Sequence, residues 1–521
     1  MSVLEADQML AGRFSRRHLL GYGAAAAVAL PILKSRETAS AATTSHSEPR
    51  IVVVGSGIAG LGCAYRLWTK YGMRAEVYEY NTVPGGRIRT LRNHFADDQL
   101  IEEHAEFVNP EHTATLALAR SFGLTLDNTD AYPPGSHPDR EQLSFFGQPW
   151  SQESLNQDWH DWAWELFHQA AFVTAPWPQL YNKHTAGGQQ FDRMSVSEWI
   201  ETYIPGGLSS DFGALCVSAV LDEFGGDPDL QSALNLVYLL GQDDTRPSGA
   251  QPKTRPALGG ANEKWHIHGG NDQLIYGILD RLPSGALHLD QRLVGLRASG
   301  TGFRCTFECG PAAHDVLADH VVLALPFTTL RQVDLEGVPI SPLHLQAIAQ
   351  EPLGTNSKFF LQFDERIWND SDRATGNCYC DGVVQGGWDA TDYQPGTAGI
   401  LAALPGGQSA QNWGSTYGLS NYFGQPPPAM IEAFLSQFNT LFPGVTAAFN
   451  GQSYFVWSPG DPHILGAYSY LKVGQYTAFN GIQGRREANL HFAGEQTSVN
   501  FQGYIEGGLR SGYRCADEII P

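Results

Sequence analysis

The clearest pattern of hydrophobic and polar positions lies close to the start of the chain. A four-residue apolar run, Ile51–Val54, predicts a parallel strand that is buried on both faces. The apolar residues Leu61, Ala64 and Leu67 follow at the spacing of one helix face. The stretch AEVYEY, residues 75–80, predicts a second strand. Together these elements predict a βαβ unit, and therefore a fold of the α/β class.

Glycines occupy the turn between the first predicted strand and the helix. Gly55, Gly57 and Gly60 form a Gly-x-Gly-x-x-Gly motif, which allows a tight turn, close approach of a pyrophosphate and close helix packing. The helix N-terminus adds unpaired N–H groups that favour phosphate. Glu79 lies nineteen residues past Gly60, where a carboxylate accepts ribose hydroxyls and favours a dinucleotide without a 2′-phosphate. The predicted cofactor-binding residues of this unit are Gly55, Gly57, Ile58, Ala59, Gly60 and Glu79.

A second glycine-rich stretch, NTVPGGRIRT, comes directly after the second predicted strand. Gly85 and Gly86 allow another close backbone approach, and Arg87 carries a guanidinium that can bind phosphate oxygens in pairs. Here the chain resembles the flavin-containing amine oxidase superfamily, whose members continue from the acidic residue into such a segment. The Gly-rich motif alone leaves NAD and FAD open, and the resemblance implies FAD.

The C-terminal segment extends the resemblance. LHFAGEQTS resembles the family strand in which Gly494 and Glu495 meet the ribitol and pyrophosphate region of FAD. The next stretch resembles the last family helix, whose start, including Tyr504 and Ile505, lies along the flavin ring. The resemblance implies that the positive end of that helix stabilises the anionic reduced flavin. LHLDQRLVGLRA resembles the strand that presents Val294 to the adenine.

The resemblance touches blocks from about residue 50 to the C-terminus and is poor across roughly 125–255. It implies a Rossmann-like FAD-binding domain interleaved with an α+β substrate-binding domain. The predicted FAD-binding segments are 50–110, 256–345 and 485–521, and the predicted substrate-binding segments are 111–255 and 346–484. The middle region is rich in tryptophan, which we interpret mainly as core packing.

Three residues are candidates for the chemistry. PLGTNSKFFLQFDERIW resembles the family strand whose lysine holds a water at flavin N5, which makes Lys358 the candidate; an exposed strand lysine is the alternative. Tyr468 and Tyr504 match the family's paired aromatic cage, with Trp457 predicted in the pocket wall. The tyrosines could instead be packed core residues. Some relatives carry a flavin-bonded cysteine where this chain has Ala467, so we expect non-covalent FAD.

The chain departs from the family pattern at one segment. His104 and Ala105 stand where a glycine pair is common, so His104 is predicted either to approach the flavin or substrate or to be a core histidine. Amino-acid oxidases commonly carry a carboxylate-binding arginine nearby, but this chain has Glu106 in that neighbourhood. Glu106 could pair with the second cationic nitrogen of a diamine or polyamine. It could also be solvated.

The resemblance implies oxidation of an amine C–N bond to an imine. Hydride passes to flavin N5, the imine hydrolyses, and dioxygen is reduced to hydrogen peroxide. The first alternative is an L-amino-acid oxidase, with a carboxylate-binding arginine from the middle region or Arg366. The others are an FAD-dependent desaturase or dehydrogenase with another electron acceptor, and an FAD-bound protein that is not an enzyme.

Charge and cysteine content exclude some partners. The formal net charge of −21 argues against nucleic acid, which would require a basic surface. The seven cysteines show no repeated CxxC frame, and no metal is predicted. Family members are often homodimers, which is the expectation here. The expected partners are therefore a small amine and dioxygen.

The first 41 residues differ from the rest. Arg16 and Arg17 precede a short Ala-rich run, and Ala39-Ser40-Ala41 resembles a cleavage site. This pattern is typical of a twin-arginine export signal, which predicts an extracellular or cell-envelope protein. An amphipathic N-terminal helix is the alternative. The apolar run is too short to predict a transmembrane span.

Overall fold

The computed structural model describes residues 48–129, 141–241, 263–369 and 375–520. The predicted export signal, residues 1–41, lies outside the described residues, as do parts of the predicted substrate-binding and FAD-binding segments. Residues Arg50–Pro521 form one compact unit, to which all features below belong.

A five-stranded parallel sheet forms the first layer, as the apolar runs predict. Its strands lie in the order Leu490–Phe492, His320–Leu323, Ile51–Val54, Ala75–Tyr78 and Leu287–His288. Ile51 and Val53 belong to one buried cluster, whereas Val52 and Val54 belong to another. Both faces of this strand are therefore buried, which explains its unbroken apolar sequence. The predicted Rossmann-like arrangement is confirmed.

The two ends of the described chain pack against each other beside this sheet. Helix Ile58–Tyr71 contacts the C-terminal helix Ile505–Ile519 along its length. A Cβ on Gly512 would lie 2.1 Å from the carbonyl oxygen of Ala59, so only glycine permits this approach. The C-terminal segment thus completes both the sheet and the helical layer next to the glycine turn.

A larger mixed sheet of eight strands forms the second layer. Lys358–Phe363 lies inside it, paired antiparallel with Phe449–Val456 and Gly399–Ala403. All six residues of Lys358–Phe363 are buried, including the lysine. The full strand order is Phe423–Gly424, Phe449–Val456, Lys358–Phe363, Gly399–Ala403, Gly386–Asp389, Cys378–Cys380, Gln142–Phe145 and Gln148–Trp150.

Smaller sheets and helices connect these layers. The smaller sheets are the antiparallel set Arg292–Ser299, Gly302–Cys309 and Ala312–Ala318, and the pairs Thr90–Leu91 with Ile101–Glu102 and Leu126–Asn128 with Trp265–Ile267. The remaining α-helices are Thr113–Ser121, Gln152–Asp158, Trp164–His168, Ala186–Asp192, Val196–Tyr203, Asp211–Phe224, Ala233–Gly241, Gln273–Leu279, Phe327–Leu330, Pro342–Gln350, Gly407–Gln411, Trp413–Tyr417, Pro428–Leu441, Val445–Ala448 and Gln475–Ala478. Trp159 and Trp199 are buried and other tryptophans of the middle region pack on the same cluster, as interpreted from the sequence.

Candidate active site

A long cavity runs from the parallel sheet to the N-terminus of the C-terminal helix. Its empty volume is about 1320 Å³, including space that is open to solvent. The sequence-predicted residues in its wall are Gly55, Gly57, Ile58, Ala59, Glu79, Gly85, Gly86, Arg87, Tyr468, Gly494, Glu495, Tyr504 and Ile505. These residues come from four separate stretches of the chain, and the fold brings them to one surface.

The glycine turn leaves a cradle that an elongated cofactor can enter. Gly57 lines the cavity, and a Cβ built on it would have no neighbour within 4 Å. Gly55, at a φ of +102°, and Gly60 have no such room, because added Cβ atoms would lie 2.5 Å from Ala324 O and 2.0 Å from Gly55 O. Gly55 and Gly60 therefore serve the turn and the packing, and Gly57 leaves space for a ligand. This chemistry fits the pyrophosphate of FAD.

Two acidic residues connect separate segments of the cavity wall by accepting hydrogen bonds. Glu79 accepts hydrogen bonds from Ser56 N and Oγ, both at 2.8 Å, and from Asn81 N at 2.7 Å. Glu495 accepts from Arg87 Nη1 at 3.0 Å and from Gly503 N at 2.8 Å. Arg87 is thus fixed at the wall by a carboxylate from the C-terminal segment. Binding of FAD by these residues stays a prediction.

Both candidate cage tyrosines line this cavity. Tyr504 immediately precedes the C-terminal helix, and its hydroxyl donates a 2.8 Å hydrogen bond to Glu223 Oε1. The guanidinium carbon of Arg87 lies 6.0 Å from the centre of the Tyr468 ring. Burial raises the pKa of both phenols well above the usual value, so both stay protonated at neutral pH. The rings can therefore present uncharged aromatic faces to an amine.

Two neighbouring carboxyl groups behind Tyr504 were not predicted from the sequence. Burial raises the pKa of Asp222 to about 8, and Glu223 adds to that rise. Burial also raises the pKa of Glu223 to about 7, against the lowering effect of its hydrogen bond with Tyr504. They lie at the end of helix Asp211–Phe224, in the region with the poorest resemblance, and no local sequence signal marks them.

Lys358 is buried and ion-paired. Only 3% of the residue is exposed, which excludes the alternative of an exposed strand lysine. Its Nζ donates to Glu106 Oε2 at 2.5 Å and to the carbonyl oxygen of Glu102 at 3.1 Å. Glu106 is therefore buried and ion-paired, which corrects the alternative that it is solvated. It lies outside the wall of this cavity, and its pairing with a second substrate nitrogen stays a prediction.

Two further predicted pocket residues lie outside the wall of this cavity. His104 is buried, and burial with the charges of Arg89 and Lys358 lowers its pKa to about 3, so it is neutral. Trp457 donates from Nε1 to Ala410 O at 2.9 Å, and its ring packs closely on Gly414. Its predicted place in the pocket wall is corrected, because the indole fills a gap between neighbouring segments instead.

Val294, which was predicted to face the adenine, lies outside the cavity wall. Leu293 lines the cavity, whereas Val294 does not and binds Asp334 N through its carbonyl oxygen. The strand has an irregularity between Leu293 and Gly295, which displaces the alternation of its residues. Sequence reasoning missed Thr329, Gln332 and other wall residues; the run ending at Pro326 carried a usable signal, since strand ends border such clefts.

Other site types receive no support in the described ranges. Residues 48–129, 141–241, 263–369 and 375–520 hold no group of three His, Cys, Asp or Glu side chains suited to a metal ion. Within the same ranges, all helices are too short or too polar to cross a membrane. The seven cysteines are free thiols.

Comparisons with known proteins agree with this geometry. Residues 58–520 match the family model described as flavin containing amine oxidoreductase. The chain is 24% identical to amine oxidase [flavin-containing] B of Sus scrofa, covering 90% of this chain and 86% of that protein. It is 21% identical to an L-amino acid dehydrogenase of Synechocystis sp., covering 90% and 94%.

A solved structure shares the fold. Cyclohexylamine oxidase from Brevibacterium oxydans superposes with a TM-score of 0.73 at 21% identity, covering 91% of this chain and 99% of that one. The matched family uses FAD, and the cavity residues fit that cofactor. The chain therefore belongs to the flavin-containing amine oxidoreductase family and is an FAD-dependent oxidoreductase that acts on amines.

Proposed function

We propose that the protein oxidises a small amine at the cavity end bounded by Tyr468 and Tyr504, with dioxygen as the electron acceptor. The observation that carries this proposal is the presence of both tyrosines in the wall that also contains Gly57 and Arg87. FAD, when bound, supplies a hydride acceptor and transfers the electrons onward. Overall, amine, dioxygen and water give a carbonyl compound, ammonia or a smaller amine, and hydrogen peroxide.

The residues of the chain bind and orient the amine. Two uncharged aromatic faces accept an amine in either protonation state, because the π surface attracts a cation and packs against a neutral group. The hydrogen bond of the Tyr504 hydroxyl to Glu223 limits rotation of one ring, which fixes the aromatic face presented to the amine. Lys358 is proposed to hold a water near the flavin.

An L-amino-acid substrate is the second candidate, and an L-amino acid dehydrogenase among the relatives favours it. Its carboxylate would require an arginine. Arg366, one source considered from the sequence, forms an ion pair with Asp389 at 3.4 Å. It also donates hydrogen bonds to the carbonyl oxygens of Thr391 and Gly396. Arg87 is paired with Glu495. These commitments make an amine without a carboxylate the better proposal.

Replacement of Tyr468 tests the cage. We expect Tyr468→Leu to lower kcat/KM for amine oxidation by about tenfold or more, because the ring contact orients the amine. Stopped-flow reduction of the bound flavin measures this effect directly. Tyr276→Phe, at an exposed position, is the control. Unchanged kcat/KM in Tyr468→Leu with intact flavin content would contradict the proposed role of this ring in binding the amine.

We also propose export by the twin-arginine route and a homodimeric assembly. The export proposal is supported by Arg16 and Arg17 ahead of the Ala-rich run. N-terminal sequencing of protein recovered from the cell envelope or medium is expected to start after Ala41, and light scattering tests the assembly. Recovery of full-length protein only from the cytoplasm would contradict export.

A further inference from the structure

The ammonium of Lys358 is fixed by two acceptors from one neighbouring segment. Glu106 Oε2 and Glu102 O accept two of its N–H groups at 2.5 and 3.1 Å. A lysine ammonium has three donors. Among the residues that the structure describes, those two acceptors leave one N–H uncommitted. The lysine can therefore hold one further group, such as a water, in a defined direction.

Both oxygens of the Glu106 carboxylate have hydrogen-bond partners. Its second carboxylate oxygen, Oε1, accepts a 3.0 Å hydrogen bond from Trp388 Nε1, and the Trp388 ring lies 5.2 Å from Lys358 Nζ. The Glu106 carbonyl accepts from Asn271 Nδ2 at 2.5 Å. The Lys358 and Glu106 side chains are each only 4% exposed. One indole thus contacts both members of a buried ion pair.

This pair lies directly behind the cavity wall. Ala105, the residue before Glu106, lines the cavity. Burial raises the pKa of Tyr468, and the negative charge of Glu106 adds to that rise. The charge of Glu106 therefore acts on a cavity residue. Because charges in such a low-dielectric region are poorly screened, the balance between Lys358 and Glu106 also acts on any ligand in the cavity.

We propose that Glu106 is a positioning residue that orients the Lys358 ammonium and cancels its charge, with Trp388 fixing the carboxylate. An unpaired Lys358 would repel a protonated amine and would favour the electron-rich, reduced form of bound FAD. An unpaired Glu106 would have the opposite effects. Only the statement about amine repulsion rests on the proposed function. The effect on FAD requires no particular substrate.

The test is the midpoint potential of bound FAD in Glu106→Gln, Lys358→Met and the double variant. We expect Glu106→Gln to shift the potential to a more positive value, and Lys358→Met to shift it to a more negative value. The double variant restores neutrality, so its potential is expected to lie between those of the single variants and close to the unmodified protein. Glu432→Gln, on the exposed face of helix Pro428–Leu441, is the charge-matched control.

Shifts of the same sign in both single variants, or no shift beyond the Glu432→Gln control, would overturn the proposal. If a single variant loses FAD, thermal unfolding replaces the potential as the measurement. Removing one partner leaves the other as a buried charge without compensation, which destabilises the protein. The double variant has neither charge, so it is expected to be more stable than either single variant. A double variant less stable than both would also overturn it. Opposite potential shifts without reduction by any amine would leave this inference intact and reject only the proposed function.

Discussion

The charge states of individual buried side chains near the cavity affect the stability of the folded protein. Oδ1 of Asp222 is buried and has no hydrogen-bond partner among the residues that the structure describes. Glu223, the next residue, bonds Tyr504 instead. Since an uncompensated buried charge is costly, both carboxyl groups favour protonation in the folded protein.

A specific pH dependence follows from these two acids. Their folded-state pKa values, about 8 for Asp222 and about 7 for Glu223, lie above the ordinary carboxyl value of about 4. A proton therefore binds to each of these carboxyl groups more tightly in the folded state than in the unfolded state. The stabilisation that results is complete at low pH and is lost as the pH rises through 7 to 8. We expect Asp222→Asn to raise the thermal midpoint by a few degrees at alkaline pH and by less at pH 6.

Differential scanning fluorimetry from pH 6 to 9 measures this difference. Asp280→Asn, at the exposed C-terminal end of helix Gln273–Leu279, serves as the control. A midpoint difference between Asp222→Asn and the unmodified protein that stays constant across this range would contradict the assignment.

At the scale of elements, the glycine turn combines two separable roles. Gly60 lets helix Ile58–Tyr71 approach the carbonyl of Gly55, whereas Gly57 faces open cavity space. The same motif therefore contains one residue needed for packing and one needed for ligand approach. The C-terminal helix Ile505–Ile519 adds its N-terminus to the same cavity.

Alanine substitutions separate these roles. Gly60→Ala would place a methyl group 2.0 Å from Gly55 O, and we expect it to destabilise the protein by about 1–3 kcal/mol or more. Gly57→Ala meets no protein atom within 4 Å and is expected to leave the stability of FAD-free protein within about 0.5 kcal/mol. Its FAD content should fall sharply, because the methyl group obstructs the pyrophosphate.

Flavin absorbance per protein and denaturant unfolding of FAD-free samples provide the two measurements. Equal loss of stability in both variants would contradict the division of roles, and so would full FAD occupancy in Gly57→Ala.

At the scale of the whole molecule, the sequence patterns predicted those elements that form through interactions between residues close together in the chain. The Ile51–Val54 strand, its glycine turn and the acidic end of the next strand were predictable, because turn geometry and burial act within thirty residues. The pair of Lys358 and Glu106 was not, since its members lie 252 residues apart and meet only through tertiary packing. The division into FAD-binding and substrate-binding segments stays a prediction.

Small local irregularities explain other differences from the sequence predictions. Leu293 rather than Val294 lines the cavity, and the pairing of this strand is irregular between Leu293 and Gly295. Trp457 packs against the segment that contains Ala410 and Gly414, and the hydrogen bond to Ala410 joins residues 47 positions apart in the chain. A family pattern therefore indicates the approximate position of a site residue, and the packing determines which side chain reaches the cavity.

Anaerobic titration of the FAD-loaded protein with single substrates tests the central claim most directly. Primary amines, cyclic amines, polyamines and L-amino acids would be added in turn, followed by air and peroxide detection. The account predicts loss of flavin colour with an amine that lacks a carboxylate, then its return in air with hydrogen peroxide. Loss of colour with L-amino acids alone, or no loss with any amine, would contradict it.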